Sequence, residues 1–180
     1  MSDPFVQIEL HVDTPPPPGT LLCFDNLGKM WQEGILYGFA GSQLSHVSMV
    51  LYEADKPYVF EAYPPVVRKL SWAAYVEAVV GTWAFVPTIR KQGGLKAFEL
   101  IPPVDTISDL QFHIMWDVAN RYLGDPYKLL WNYFKGTPDW HCSEYCDVVY
   151  STAGLVSADG HRCTPSMIHN KLKSIGFTVK

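Results

Sequence analysis

The chain has 180 residues, 48% of them hydrophobic, and a formal net charge of −4, which fits one globular domain with a substantial core. Basic residues form no cluster beyond short pairs such as Arg90-Lys91, so we expect no nucleic-acid partner. The N-terminus lacks signal-peptide features and no apolar run approaches the roughly 18 residues of a membrane span. These features predict a cytoplasmic protein without stable membrane insertion.

The strands are predicted from runs of alternating or continuous apolar residues. "FVQIELHV" alternates and has His11 on its polar side, "TPPPPG" is typical of a stiff extended connector, and "HVSMVLYEADKPYVFEAY" indicates two strands joined by a turn at "EADKP". The predicted strands lie at residues 5–12, 20–24, within 46–63 as a pair, and at 81–89 and 95–101.

The helices are predicted from helical spacing and from cap residues. Asp105 or Ser108 is expected to cap the second helix, with Leu110, Ile114 and Val118 on its buried stripe. Thr164 followed by proline is typical of the start of the last helix. The predicted helices lie at residues 30–41, 105–124, about 142–154 and 164–176. Strands in the first part and helices in the second predict an α+β fold.

Four cysteines are too few and too scattered for a disulfide scaffold, so they are expected to be free thiols, metal ligands or a nucleophile. Cys142 lies where "WHCSEYCDVVY" begins a helix, on the same face as Cys146, Val149 and Ala153, with Glu144 and Asp147 pointing away. Unpaired N–H groups and the helix dipole favour a thiolate at such a position. The alternative is that Cys142 only fills space in the core.

His46 and Glu61 lie in the predicted strand pair. If the loop has an even number of residues, they project from the same face of the sheet, directly opposite or one diagonal step apart. A carboxylate in that position would orient an imidazole, as the third member of a catalytic triad does. The alternative is an ordinary histidine at a strand end.

The stretches "SHVSMVLYE", "VFEAYPPVV", "ANRYLGDPY" and "HCSEYCDVVY", taken in this order, resemble the circularly permuted papain-like hydrolases of the NlpC superfamily, the YiiX-like group. Histidine and glutamate precede cysteine here, as expected if the nucleophile helix follows the sheet. The resemblance spans roughly residues 19–170. It implies a permuted papain-like fold, with an antiparallel sheet or small barrel packed against helices. We predict a single domain over 1–180, with an N-terminal strand and proline-rich connector at 1–19.

The resemblance implies Cys142 as nucleophile, His46 as general base and Glu61 as its orienting partner. Tyr127 would line the site and bind substrate or an oxyanion, or would simply pack a turn. His141 departs from the family pattern and is expected to neighbour the site and contact substrate, or to replace His46 as base. We therefore predict a cofactor-free cysteine hydrolase or acyltransferase acting on a peptide amide or an acyl lipid.

A zinc-binding structural module is the alternative from another class of protein. Its four ligands would be Cys142, Cys146, His161 and Cys163. Their spacing is uncommon, because an i, i+4 pair on a helix is awkward beside a His-x-Cys pair. The oligomeric state is open.

Overall fold

The computed structural model describes residues 10–25, 44, 46–79, 96–127, 140–159 and 163–180. Within these residues the architecture is the predicted α+β arrangement of an antiparallel sheet packed against helices. The predicted helix at 30–41 and strand at 81–89 lie outside the described residues. So does most of the predicted strand at 5–12, and its described end, residues 10–12, is not in a strand.

The sheet has six strands in the described part of the chain: β1 (Leu21–Asp25), β2 (His46–Glu53), β3 (Lys56–Tyr63), β4 (Val66–Ser71), β5 (Lys96–Ile101) and β6 (Thr178–Val179). All neighbours are antiparallel, in the order β4-β3-β2-β1-β5-β6. The sequence predicts β1, β2, β3 and β5. It does not predict β4, whose polar centre obscures the pattern, or β6, which has two residues.

Four helices are described: α1 (Trp72–Ala78), α2 (Asp109–Arg121), α3 (Cys142–Thr152) and α4 (Pro165–Ser174). Ser108 caps α2, accepting from the N–H of Gln111 while the Gln111 side chain accepts from the N–H of Ser108. Thr164 caps α4 and is followed by Pro165, as predicted. No helix among the described residues has the length and apolar character needed to cross a membrane.

Helices cover both faces of the sheet. Alternate residues of β1 therefore enter two cores: Leu21 and Cys23 lie with α2, α3 and α4, whereas Leu22 and Phe24 lie with α1. A strand buried on both faces has a continuous apolar sequence, which is why "LLCF" shows no alternation. α3 lies in the core that the sheet forms with α2 and α4, and eight of its residues are buried.

Two details of packing differ from the predictions. The buried residues of α2 are Met115, Val118 and Ala119, whereas Leu110 is 69% exposed because the buried stripe starts one turn later. Glu144 and Asp147 on α3 were expected to point away from the core, but both are buried. The reason is that each meets a polar partner within the protein, as described below.

Candidate active site and a second polar cluster

The turn between β2 and β3 determines how His46 and Glu61 meet. It consists of Ala54 and Asp55, both with positive φ, the two-residue type whose twist matches the flanking strands. Lys56 and Pro57, predicted as turn residues, instead begin β3. Since the loop is even-numbered, the register places His46 and Glu61 on one face and one diagonal step apart, as predicted.

Glu61 lies in the middle strand of three, with a cationic or protonatable side chain on each side. Its Oε2 is 2.7 Å from Nε2 of His46 on β2. Its Oε1 accepts from Nε of Arg68, the direct cross-strand partner on β4, at 2.7 Å. Glu61 is fully buried. Burial would raise the pKa of its carboxyl group, but the bonds to His46 and Arg68 lower that pKa instead.

Arg68 is the site residue that the sequence analysis missed. Its guanidinium also lies over the ring of Tyr63, with Cζ 4.3 Å from the ring centroid. The signal was present in the Pro64-Pro65 pair, which marks a two-residue turn after Tyr63. A strand recognised at 66–71 would have placed Arg68 opposite Glu61 by register alone.

Cys142 is the first residue of α3 and lies between two imidazoles. Nδ1 of His141 is 3.6 Å from its Sγ, and His46 interacts with the same sulfur. Because Nε2 of His46 is bonded to Glu61, its Nδ1 is the nitrogen left for the thiol. We call Cys142, His46, His141, Glu61 and Arg68 the imidazole cluster.

The thiol and the imidazoles shift one another's protonation. Burial would raise the pKa of Cys142, but His141 and His46 outweigh burial and hold it well below the ordinary value. Burial would lower the pKa of His46, yet its interactions with Cys142 and Glu61 raise it. Burial raises the pKa of the other three thiols, Cys23, Cys146 and Cys163. Within the described part of the chain, a thiolate–imidazolium pair is therefore favoured only at Cys142.

The segment that follows α2 brings Tyr127 to this cluster. Its N–H donates to the carbonyl of Pro65 at 2.8 Å, and the N–H of Trp140 donates to the carbonyl of Pro126 at 3.0 Å. The Tyr127 ring lies 6.0 Å from that of His141, centroid to centroid. Burial, followed by the negative charge of Cys142, raises the pKa of Tyr127, so its hydroxyl stays protonated and can donate.

A second polar cluster involves α3, α4 and the segment between them. The ammonium of Lys171 lies 2.8 Å from Asp147 Oδ1 and 2.6 Å from Asp159 Oδ2, and the Cys163 thiol is close enough to form a potential set of metal ligands with both carboxylates. We call Asp147, Asp159, Cys163 and Lys171 the lysine cluster. Asp147 is buried at this position because Lys171 supplies the opposite charge.

The zinc site predicted from three cysteines and one histidine is not assembled in the described residues. Cys142 belongs to the imidazole cluster, Cys163 to the lysine cluster, and these two do not join Cys146 in a common set of ligands. His161 lies outside the described residues. All four cysteines are free thiols.

Comparison with known proteins identifies the fold. No protein-family profile matches the chain, and no curated protein matches it. Among solved structures, the fold is similar to that of metalloprotein YiiX from Escherichia coli O157:H7, with a TM-score of 0.53 and 24% sequence identity over 77% of this chain. The similar region spans 66% of the YiiX chain, just under two thirds. The fold is thus YiiX-like, as the sequence motifs indicate.

Proposed function

We propose that this protein is a cysteine hydrolase or acyltransferase that opens an amide or ester bond through an acyl-thioester on Cys142. The observation that carries the proposal is the environment of the four buried thiols: among the described residues only the Cys142 sulfur faces imidazoles, which lower its pKa, whereas burial raises the pKa of the other three. A low pKa at the start of a helix is typical of nucleophilic cysteines.

In this mechanism the thiolate of Cys142 attacks the substrate carbonyl carbon, and the leaving amine or alcohol departs with the proton held by His46. Water or an acceptor amine then attacks the thioester while His46 takes its proton, which regenerates the Cys142–His46 pair. Glu61 fixes the ring of His46 and favours its charged form, and Arg68 keeps Glu61 ionised.

The oxyanion of the tetrahedral intermediate needs donors that are already in place. The backbone N–H of Cys142 is suited to this role, because the first N–H groups of a helix have no partner within the helix. The protonated hydroxyl of Tyr127 is the second donor that we propose. The substrate that we propose is a peptide amide or an acyl lipid. The four free thiols support a cytoplasmic site of action.

The test is to expose the protein to activated acyl and peptidyl esters and to map the resulting adduct by mass spectrometry. We expect an acyl mass on the peptide containing Cys142, and its absence in Cys142→Ala. Cys163→Ala is the matched control, since it removes another buried thiol, and it should retain the adduct. An adduct that persists in Cys142→Ala would contradict the proposal.

Metal binding is the second candidate function, favoured by the name of the YiiX structure and by the carboxylates and thiol of the lysine cluster. The ammonium of Lys171 already pairs with both carboxylates, so a divalent ion would have to displace it. Elemental analysis of purified protein and of Asp159→Asn separates the two functions. A stoichiometric metal lost in this variant would support a metal site, whereas none in wild type would leave the cluster as a salt bridge.

A further inference from the structure

His141 differs from His46 in the partners of its ring. Its Nδ1 lies 3.2 Å from Ser143 Oγ and 3.6 Å from Cys142 Sγ. The Ser143 hydroxyl in turn donates to the backbone carbonyl of Cys163 at 2.6 Å, and both Ser143 and Cys163 are buried. A carbonyl oxygen only accepts, so the single Ser143 proton is committed to it.

The donor and acceptor roles in these hydrogen bonds determine which ring nitrogen of His141 carries a proton. Because Ser143 Oγ has donated its hydrogen, it can meet Nδ1 of His141 only as an acceptor, and Nδ1 must carry a hydrogen. The same N–H faces the Cys142 sulfur. His141 is therefore a donor to Cys142 at Nδ1 whether the ring is neutral or charged, and it has no lone pair there to accept the thiol proton.

We propose that His141 is a fixed hydrogen-bond donor that stabilises the Cys142 thiolate without acting as a base, and that Ser143 is the positioning residue that fixes its Nδ1–H form. This proposal rests on the proposed function, and it gives different roles to the two imidazoles that face Cys142. His46 exchanges a proton with Cys142 and the leaving group, whereas His141 keeps its proton through both steps. The proton count of the reaction is unchanged.

The position of His141 is fixed from the backbone side as well. Its N–H donates to Glu144 Oε2 at 3.3 Å, which holds the residue at the start of α3. Burial would lower the pKa of His141, but Cys142 and Glu144 raise it. Other titratable or charged groups around Cys142 and its two imidazoles are His46, Glu61, Tyr63, Arg68, Tyr127, Glu144 and Cys146.

The test is the rate of Cys142 alkylation by iodoacetamide as a function of pH, followed by peptide mapping. In His141→Ala we expect the thiol pKa in this profile to rise by about one pH unit, as for loss of one charge-assisted hydrogen bond. His141→Asn should stay close to wild type, because asparagine places an N–H near the position of Nδ1 and is a favoured residue at a helix start. Ser143→Ala should fall between the two.

The matched control is His113→Ala, which removes an exposed histidine from α2 and should leave the profile unchanged. A wild-type profile in His141→Ala would overturn the proposal, and so would an Asn variant that behaves like Ala. Should a variant fail to fold, ¹⁵N NMR of the wild-type His141 ring decides the matter: protonated Nδ1 is expected, and unprotonated Nδ1 contradicts it. Neither readout needs a substrate, so absence of turnover would remove the proposed function without removing this result.

Discussion

The imidazole cluster and the lysine cluster contain similar groups, but they shift the pKa of their cysteines in opposite directions. Each has a buried cysteine, a buried carboxylate and a cation. In the imidazole cluster, the imidazoles contact the sulfur of Cys142, and the carboxylate of Glu61 bonds to the other ring nitrogen of His46. In the second, the carboxylates are near the sulfur and the cation pairs with them.

The difference shows that the pKa of a buried thiol depends on which charged group contacts its sulfur. Burial disfavours both thiolates, and only contact with a protonatable donor overcomes that cost at Cys142. At Cys163, burial and then the charge of Asp147 raise the pKa, and Lys171 opposes them too weakly. Of these two buried cysteines, only the one whose sulfur contacts imidazoles has a lowered pKa.

The largest effect should come from breaking the imidazole cluster. We expect Cys142→Ala and His46→Ala each to reduce turnover of an activated ester by about 10³-fold or more, since a catalytic triad acts as a unit. Steady-state kinetics on folded variants checks this. Wild-type-like turnover in His46→Ala would move the base elsewhere.

Lys171→Met tests the lysine cluster. The substitution leaves the buried carboxylate of Asp147 without its cation, with only the N–H of Asp159 still donating to it, so the free energy of unfolding should fall by about 3 kcal/mol. Urea denaturation measures this, and Glu53→Gln, which breaks the Lys69–Glu53 pair at its exposed carboxylate, is the control expected to cost below about 1 kcal/mol. If Cys142 alkylation also changed in folded Lys171→Met, the two clusters would not be independent.

Arg68→Ala tests whether Arg68 supports turnover by orienting Glu61. Removal of the guanidinium should weaken the orientation of Glu61 and reduce kcat by about 30-fold, with KM nearly unchanged. Glu61→Gln, which still accepts a hydrogen bond from His46, should likewise leave measurable turnover. Rescue in part by Arg68→Lys would support the electrostatic role, whereas an effect on KM alone would argue for substrate binding.

Tyr127→Phe should have the smallest effect. If the hydroxyl helps to bind the oxyanion beside the Cys142 N–H, kcat should fall, by less than the about 10²-fold loss that follows removal of a principal oxyanion donor, while Cys142 alkylation is unaffected. The comparison of both rates in one variant separates the two steps. Unchanged kcat would leave Tyr127 with a packing role beside His141.

The geometry around Glu61 could be predicted from the sequence because a two-residue turn and period-two strands fix side-chain parity. The same reasoning did not find Arg68, since "VVRKLS" has polar residues at its centre and lacks a clear alternation. The relation of Cys142 to His46 depended on a family resemblance, because no local rule joins residues 96 positions apart. The burial of Asp147 depends on Lys171, a partner that only the tertiary packing supplies, whereas Glu144 accepts from the N–H of His141 at the start of its own helix.

The most direct test of the account is competitive alkylation of the four thiols in the folded wild-type protein, with limiting iodoacetamide between about pH 5 and 9. Because the pKa of Cys142 is lowered, its thiolate forms at lower pH than an ordinary cysteine, and its labelling should decline only as pH falls through that lowered pKa. We expect Cys142 to be labelled first throughout, ahead of Cys23, Cys146 and Cys163. Labelling of Cys163 or Cys146 first, or Cys142 labelling that appears only above about pH 8.5, would contradict the account.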